Sequence, residues 1–230
     1  MLTTDDSGRS TRDTVAGVMT MSFLRTVGEQ DASGEIANAY DQDRQKLGYV
    51  MDATRVMTTR PEVLPAWERF IEVARGAFTL PLRDWRLITL VAAKHVPSTY
   101  CSLVYGRRLL EDLGSADAVL AVQRDFRTAG LSERDVAMLE YAEKVTLAAH
   151  TVSEADIQRL RQQGFADEHI FDIALCAAVR NLFSRLVDAV GATPDPEFQA
   201  LEPAQLRAAL TVGRQLGSRD DREQVPAHQG

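Results

Sequence analysis

From Gly34 to Val190 the apolar side chains recur at the three-to-four-residue spacing of helices, and no stretch of convincing length alternates as a strand would. A chain patterned this way must bury helix stripes against other helices, so the fold class is all-α, a helical bundle. Chemical punctuation divides the pattern. Ile36, Ala39, Tyr40 and Leu47 mark a helix over 34–47, and Pro61 opens one through Leu64, Trp67, Phe70, Ile71 and Ala74. Leu82 to His95 carries the densest stripe, with Leu87, Ile88, Leu90 and Val91. Pro97 breaks that helix, Ser98 begins another to Leu113, Gly114 ends it, and Ser115 caps a short helix to Thr128. Ser132 with Asp135 resembles a capping box with Asp in place of Glu, and Thr151 with Glu154 fits the standard form, opening helices over 132–149 and 152–163. Ala166 to Val190 is the longest helix, its alanines permitting close packing. A weaker helix covers 203–216.

Residues 1–20 are rich in Ser, Thr, Asp and Arg without an apolar period, and 218–230 are charged, so both read as disordered flanks of one helical domain over 21–217. That domain is long enough to bury a core without disulfide or metal staples. The 26 basic and 33 acidic residues leave a net charge of −7. Nucleic-acid binding calls for a basic face, and this balance argues against it. No apolar run approaches a membrane span, and the N-terminus lacks the apolar stretch of a secretory signal. The expected location is therefore the cytoplasm, with no membrane or nucleic-acid partner. Cys101 and Cys176 stay reduced there unless they do redox work. No residues have metal-ligand spacing and no glycine-rich phosphate loop follows a strand, so no metal or cofactor is expected.

Ser98, Cys101 and Tyr105 stand at i, i+3 and i+7 and share a helix face. Pro97 places Cys101 in the first turn, where free backbone N–H groups and the helix dipole favour a thiolate. The alternative is ordinary packing: a buried small thiol, a capping serine and a core aromatic. Cys176, among alanines, reads as a packed thiol. Asn181 and Arg185, one turn apart, share a face with Ile173, Ala174 and Ala177, and either tie helices or subunits together or present Arg185 to a substrate carboxylate. His95 ends its helix close to the Cys101 segment, as acid or base or as a plain helix-end residue. His150, His169 and His228 carry the plain reading. Arg107, Arg108, Glu111 and Asp112 read as a solvated face.

Three stretches together resemble the carboxymuconolactone decarboxylase/AhpD-like superfamily, over about 23–201. They are Arg60-Pro61-Glu62-Val63-Leu64-Pro65-Ala66-Trp67; Leu82 to Ile88 with Ser98-Thr99-Tyr100-Cys101 and Tyr105; and Leu131 to Arg134 and Tyr141 to Lys144 with Val179 to Gly191. The last piece is similar to the family's N-x-x-x-R-x-x-D-A-x-G ending. Redox members carry a Glu and then C-x-x-C-x-x-x-H. Here the Glu position is Arg86, the first Cys is Ser98, the second is kept as Cys101, and the His is Tyr105. A dithiol cycle needs two thiols, and Ser98 supplies none.

The resemblance implies an AhpD-like bundle that assembles as a homo-oligomer, a dimer or higher. It places the helix carrying Arg86 against the Cys101 face, with Arg86 directed into a pocket shared with Ser98, Cys101 and Tyr105. The function expected first is a cofactor-independent enzyme on a small, anionic organic substrate, working by decarboxylation, isomerisation or dehydration. Arg86, Ser98, Asn181 and Arg185 would bind, and Cys101, Tyr105 or His95 would move protons. The alternatives are a one-cysteine peroxidase using Cys101 and a non-catalytic binding or scaffold protein.

Overall fold

A computed structural model describes residues 22–216. The expected flanks and His228 lie outside the described residues. Among those residues there are ten α-helices, four short 3-10 turns and no strand. The α-helices are α1 (Gly34–Leu47), α2 (Asp52–Met57), α3 (Leu64–Gly76), α4 (Leu82–His95), α5 (Thr99–Leu113), α6 (Ala116–Asp125), α7 (Glu133–Ala148), α8 (Glu154–Gln162), α9 (Asp167–Ala189) and α10 (Ala204–Leu210). No helix among them is long and apolar enough to cross a membrane.

α4 is the hub, packed against α5, α7 and α9. Its Leu87, Ile88, Thr89, Leu90, Val91, Ala92 and Ala93 are all buried, on successive positions, so neighbours surround it almost completely. Truncating a fully buried Leu or Ile to Ala costs about 2–5 kcal/mol, while an exposed ion pair contributes about 0–1 kcal/mol. The packing around α4 therefore outweighs the many surface pairs. α4 and α5 form a helical hairpin joined by Val96, Pro97 and Ser98, and Ser98 N–H donates to Ala93 O at 2.9 Å. α5 ends at Gly114, whose φ of 75° lets its N–H reach Leu110 O at 3.0 Å. Ser115 Oγ and Ser132 Oγ each accept from the backbone N–H three residues on, both at 3.1 Å, as their sequence patterns indicate.

The structure corrects several boundaries. α8 starts at Glu154 and is boxed by Ser153 and Asp156, not by Thr151 and Glu154: Asp156 Oδ2 accepts from Ser153 N and Ser153 Oγ, both at 2.8 Å. Thr151 closes a 3-10 turn instead, its hydroxyl donating to Ala148 O at 2.8 Å. α3 starts at Leu64 with Pro65 in its first turn, and Pro61 sits in the turn before it. The last helix stops at Leu210 rather than 216. The segment beyond it folds over the start of α5, where Gly213 N–H donates to Thr99 Oγ1 at 2.8 Å. The fit is close: a Cβ on Gly213 would meet Pro97 O at 2.0 Å.

α2 has six residues, too few to show a period, and tertiary bonds hold it. It belongs to a second, smaller core in which Ala39, Ala53, Val56, Met57 and Leu64 meet Tyr100 and Val187. Tyr100 OH donates to Asp195 Oδ2 at 2.7 Å. Asp195 Oδ1 accepts from Asp52 N at 3.0 Å, and Asp52 Oδ2 accepts from Thr193 N at 2.8 Å. Burial, with Asp195 adding to it, pushes the Tyr100 phenol well above its ordinary range, so it remains a neutral donor. Tyr100→Phe keeps the ring and removes the hydrogen bond to a buried carboxylate. Urea unfolding of this variant is expected to show a loss of about 2 kcal/mol.

Candidate functional site

Along α9, Ile173, Ala177, Arg180, Ser184 and Val187 recur at helical spacing and are all buried. Two polar residues on that inward stripe face α5. Arg180 Nη1 donates to Cys101 Sγ at 3.3 Å, Arg180 Nη2 donates to Tyr105 OH at 3.0 Å, and Ser184 Oγ lies 3.2 Å from Cys101 Sγ. Arg180 also stands over the Tyr105 ring, 4.7 Å from its centroid, and 5.3 Å from that of Phe183. Phe183 in turn stacks on Trp67 of α3 at 5.4 Å. Cys101 is 1% exposed and Arg180 6%.

No described carboxylate pairs with Arg180, and its Nε is buried without a partner. Burial works against the guanidinium charge, but Tyr105 and Cys101 beside it more than offset that and raise its pKa above the ordinary arginine value. The chemistry available is clear from the donors. Arg180 and Ser184 both address one sulfur, which stabilises negative charge on it. Tyr105 accepts from Arg180, so its own O–H proton remains free for a ligand.

The other thiol contrasts with this. Cys176, one turn before Arg180 on α9, contacts Trp85 O at 3.6 Å and Thr89 Oγ1 at 3.8 Å on α4. Burial pushes its thiol up to about 12, so it is an inert core residue, as its alanine-rich surroundings indicate. Both cysteines are free thiols. Among the described residues, no group of three or more His, Cys, Asp or Glu side chains could hold a metal.

The structure places Cys101 and Tyr105 against the same Arg180 side chain, which the sequence pattern did not single out. Arg86 does not point into the Cys101 site. Its Nη1 lies 2.9 Å from both carboxylate oxygens of Asp112, near the far end of α5. The reason is axial register: in a helical hairpin, a residue near the start of α4 meets the end of α5. Asp112 and Arg108 are consequently half-buried rather than on a solvated face. His95 is not at the site either. Its Nε2 is 2.7 Å from Glu143 Oε1 on α7, and Arg127 holds the same carboxylate. Burial raises the Glu143 pKa, but Arg127 and His95 outweigh it and hold it below the ordinary range. Ser98 occupies the cap position of α5, fully buried, but its side chain makes no cap bond. Its Oγ lies beside the Asp188 carboxyl without a hydrogen bond of good geometry.

Asn181 is half-buried with its Oδ1 unpartnered, and Arg185 is exposed. Each stands one residue past the buried pair Arg180 and Ser184, about 100° further round the helix. The signal that finds Arg180 and Ser184 is the 173-177-180-184-187 spacing, which places a cation on a buried stripe. The Arg86–Asp112 pair is part of the α4–α5 contact. Arg86→Ala leaves a half-buried carboxylate without its partner, and chemical denaturation should show a loss of about 1–3 kcal/mol.

No family model and no curated protein matches the chain. Solved structures do. A peroxidase-related protein from Ralstonia eutropha JMP134, described as an alkylhydroperoxidase AhpD core, has a TM-score of 0.71 at 24% identity, covering 78% of this chain and 95% of that one. A peroxidase-related protein from Silicibacter sp. TM1040 has a TM-score of 0.67 at 23% identity, covering 77% and 91%. The debrominase Bmp8, as a cysteine-to-alanine variant in complex with 2,3,4-tribromopyrrole, has a TM-score of 0.62 at 17% identity, covering 80% and 94%. With its ten helices and no strand among the described residues, the chain has the all-α AhpD-like bundle fold that its sequence resembles.

Proposed function

We propose that this protein is a single-cysteine thiol enzyme acting on a small molecule, with Cys101 as the reacting group. One observation carries the reading: Arg180 and Ser184 both donate to Cys101 Sγ, while Cys176 sits against α4 with its thiol pushed up to about 12. With a hydroperoxide, the thiolate attacks one peroxide oxygen. The S–O bond forms, the O–O bond breaks, and the leaving alkoxide takes a proton from the Tyr105 hydroxyl or from water. The sulfur is oxidised to sulfenic acid and the peroxide reduced to an alcohol. An external thiol then forms a mixed disulfide with loss of water, and a second external thiol releases Cys101. Such a cycle needs a reducing compartment, which the cytoplasm provides. The similar structures include peroxidase-related proteins and a debrominase solved as a cysteine-to-alanine variant, which lends the reading support.

Cofactor-independent acid–base chemistry is the second reading. It is favoured by Tyr105, whose hydroxyl is polarised by Arg180 at 3.0 Å. It has lost its expected anchor, since Arg86 is held by Asp112. Cys101→Ser separates the two. Thiol-dependent hydroperoxide reduction is expected to fall about 100-fold or more in this variant, with Cys176→Ala within about twofold of the parent. Dimedone should trap a sulfenic acid on Cys101 after one equivalent of peroxide, detected by mass spectrometry. Turnover that survives Cys101→Ser overturns the thiol reading, and no turnover of any kind favours a scaffold.

We also propose that the chain pairs with a second copy through the outer face of α9. Phe171, Ala178, Leu182 and Leu186 are exposed there, with half-buried Leu175 completing a spacing of four, three, four and four residues. That is the seam geometry of a helix expecting a helix. Light scattering at micromolar concentration should give a dimer or larger, and Leu182→Glu with Leu186→Glu should give monomer.

A further inference from the structure

The Cys101 site holds more positive charge than the described residues neutralise. Arg108, one turn beyond Tyr105 on α5, is half-buried, with its guanidinium 5.3 Å from the Tyr105 ring centroid. Arg180 approaches the same ring at 4.7 Å. Neither has a carboxylate partner among the described residues, whereas Arg86 close by is matched by Asp112. Burial depresses the Arg108 pKa, Tyr105 beside it works the other way without offsetting it, and Arg75, Arg86 and Arg180 depress it further. Arg75 is on the exposed side of α3 and lines an open groove of about 990 Å³ along α1 and α3. A Cys101 thiolate would balance only one of the two cations at the Tyr105 ring. A guanidinium keeps its charge on burial and needs an anion where water is scarce.

We infer that the substrate carries an anionic group, a carboxylate in its simplest form, held by Arg108 at the Tyr105 ring and directing the rest of the molecule toward Cys101. Arg108 is then the specificity-determining residue, its planar fork matching two carboxylate oxygens. Arg180 remains committed to Cys101 and Tyr105. The Tyr105 hydroxyl proton is available as a further donor to the bound group.

Part of the test rests on the thiol reading and part does not. The rate of Cys101 carboxymethylation by iodoacetate, divided by its rate of modification by neutral iodoacetamide, reports charge selection at the sulfur. Mass spectrometry of the Cys101 peptide separates it from Cys176. The ratio is expected to exceed that of a free cysteine in the parent, to fall about tenfold in Arg108→Gln, and to be retained in Arg108→Lys. Benzoate binding by calorimetry does not require a reactive thiol. Benzoate should bind the parent, bind Arg108→Gln at least about tenfold more weakly, and be preferred over neutral benzamide. If Cys101 resists both reagents, the thiol reading fails and benzoate alone decides the inference. Benzoate binding that is absent, or equal in parent and Arg108→Gln, overturns it. An alkylation ratio unchanged by Arg108→Gln overturns it too.

Discussion

Placing a guanidinium in a protein interior costs several kcal/mol unless neighbouring groups answer its charge, and Arg180 is answered by a thiol and a phenol rather than by a carboxylate. The local architecture follows from that. α9 must lie within one side-chain length of α5, at a fixed rotation and height. Ala177, fully buried one turn before, keeps α9 close to its neighbours. Ser184, one turn after, brings a second donor, a hydroxyl, to the same sulfur. The apolar shell around α4 supplies the favourable free energy against which a strained electrostatic arrangement can persist. Sites held this way are where function is to be sought, because packing alone gives no reason for them.

The two cysteines make the point by contrast. They are equally buried and neither is bonded to the other. Cys176 sees a backbone carbonyl, which can only accept from it, and a threonine hydroxyl at 3.8 Å whose help is outweighed by burial. Cys101 sees a cation and a hydroxyl. Burial therefore does not distinguish an inert thiol from a usable one; the polarity of the first atoms around it does.

Much of the fold was legible because helices declare themselves through periodicity and caps. The bounds of α1 and α4 were read correctly, as was the stop at Gly114. α2 was not, since six residues cannot show a period and its support comes from Asp195 and Thr193, far along the chain. At the candidate site, the shared face of Cys101 and Tyr105 was legible because spacing within one helix fixes it. Arg86 and His95 were misplaced because sequence says which helices are neighbours but not how far one slides along the other. Asn181 and Arg185 were chosen over Arg180 and Ser184 by an error of one residue in helical phase. A buried arginine breaks the usual pattern of apolar-in and polar-out, and the phase was misread at that break.

The contact of Gly213 with Pro97 and Thr99 has a consequence for synthesis. The first turn of α5 is completed by residues more than a hundred positions later in the chain. While those residues are still inside the ribosome, a nascent chain has α1 to α8 available but not the cover over the start of α5. During that interval Pro97 and Thr99, just before Cys101 in the chain, lack the neighbour that Gly213 gives them in the finished protein.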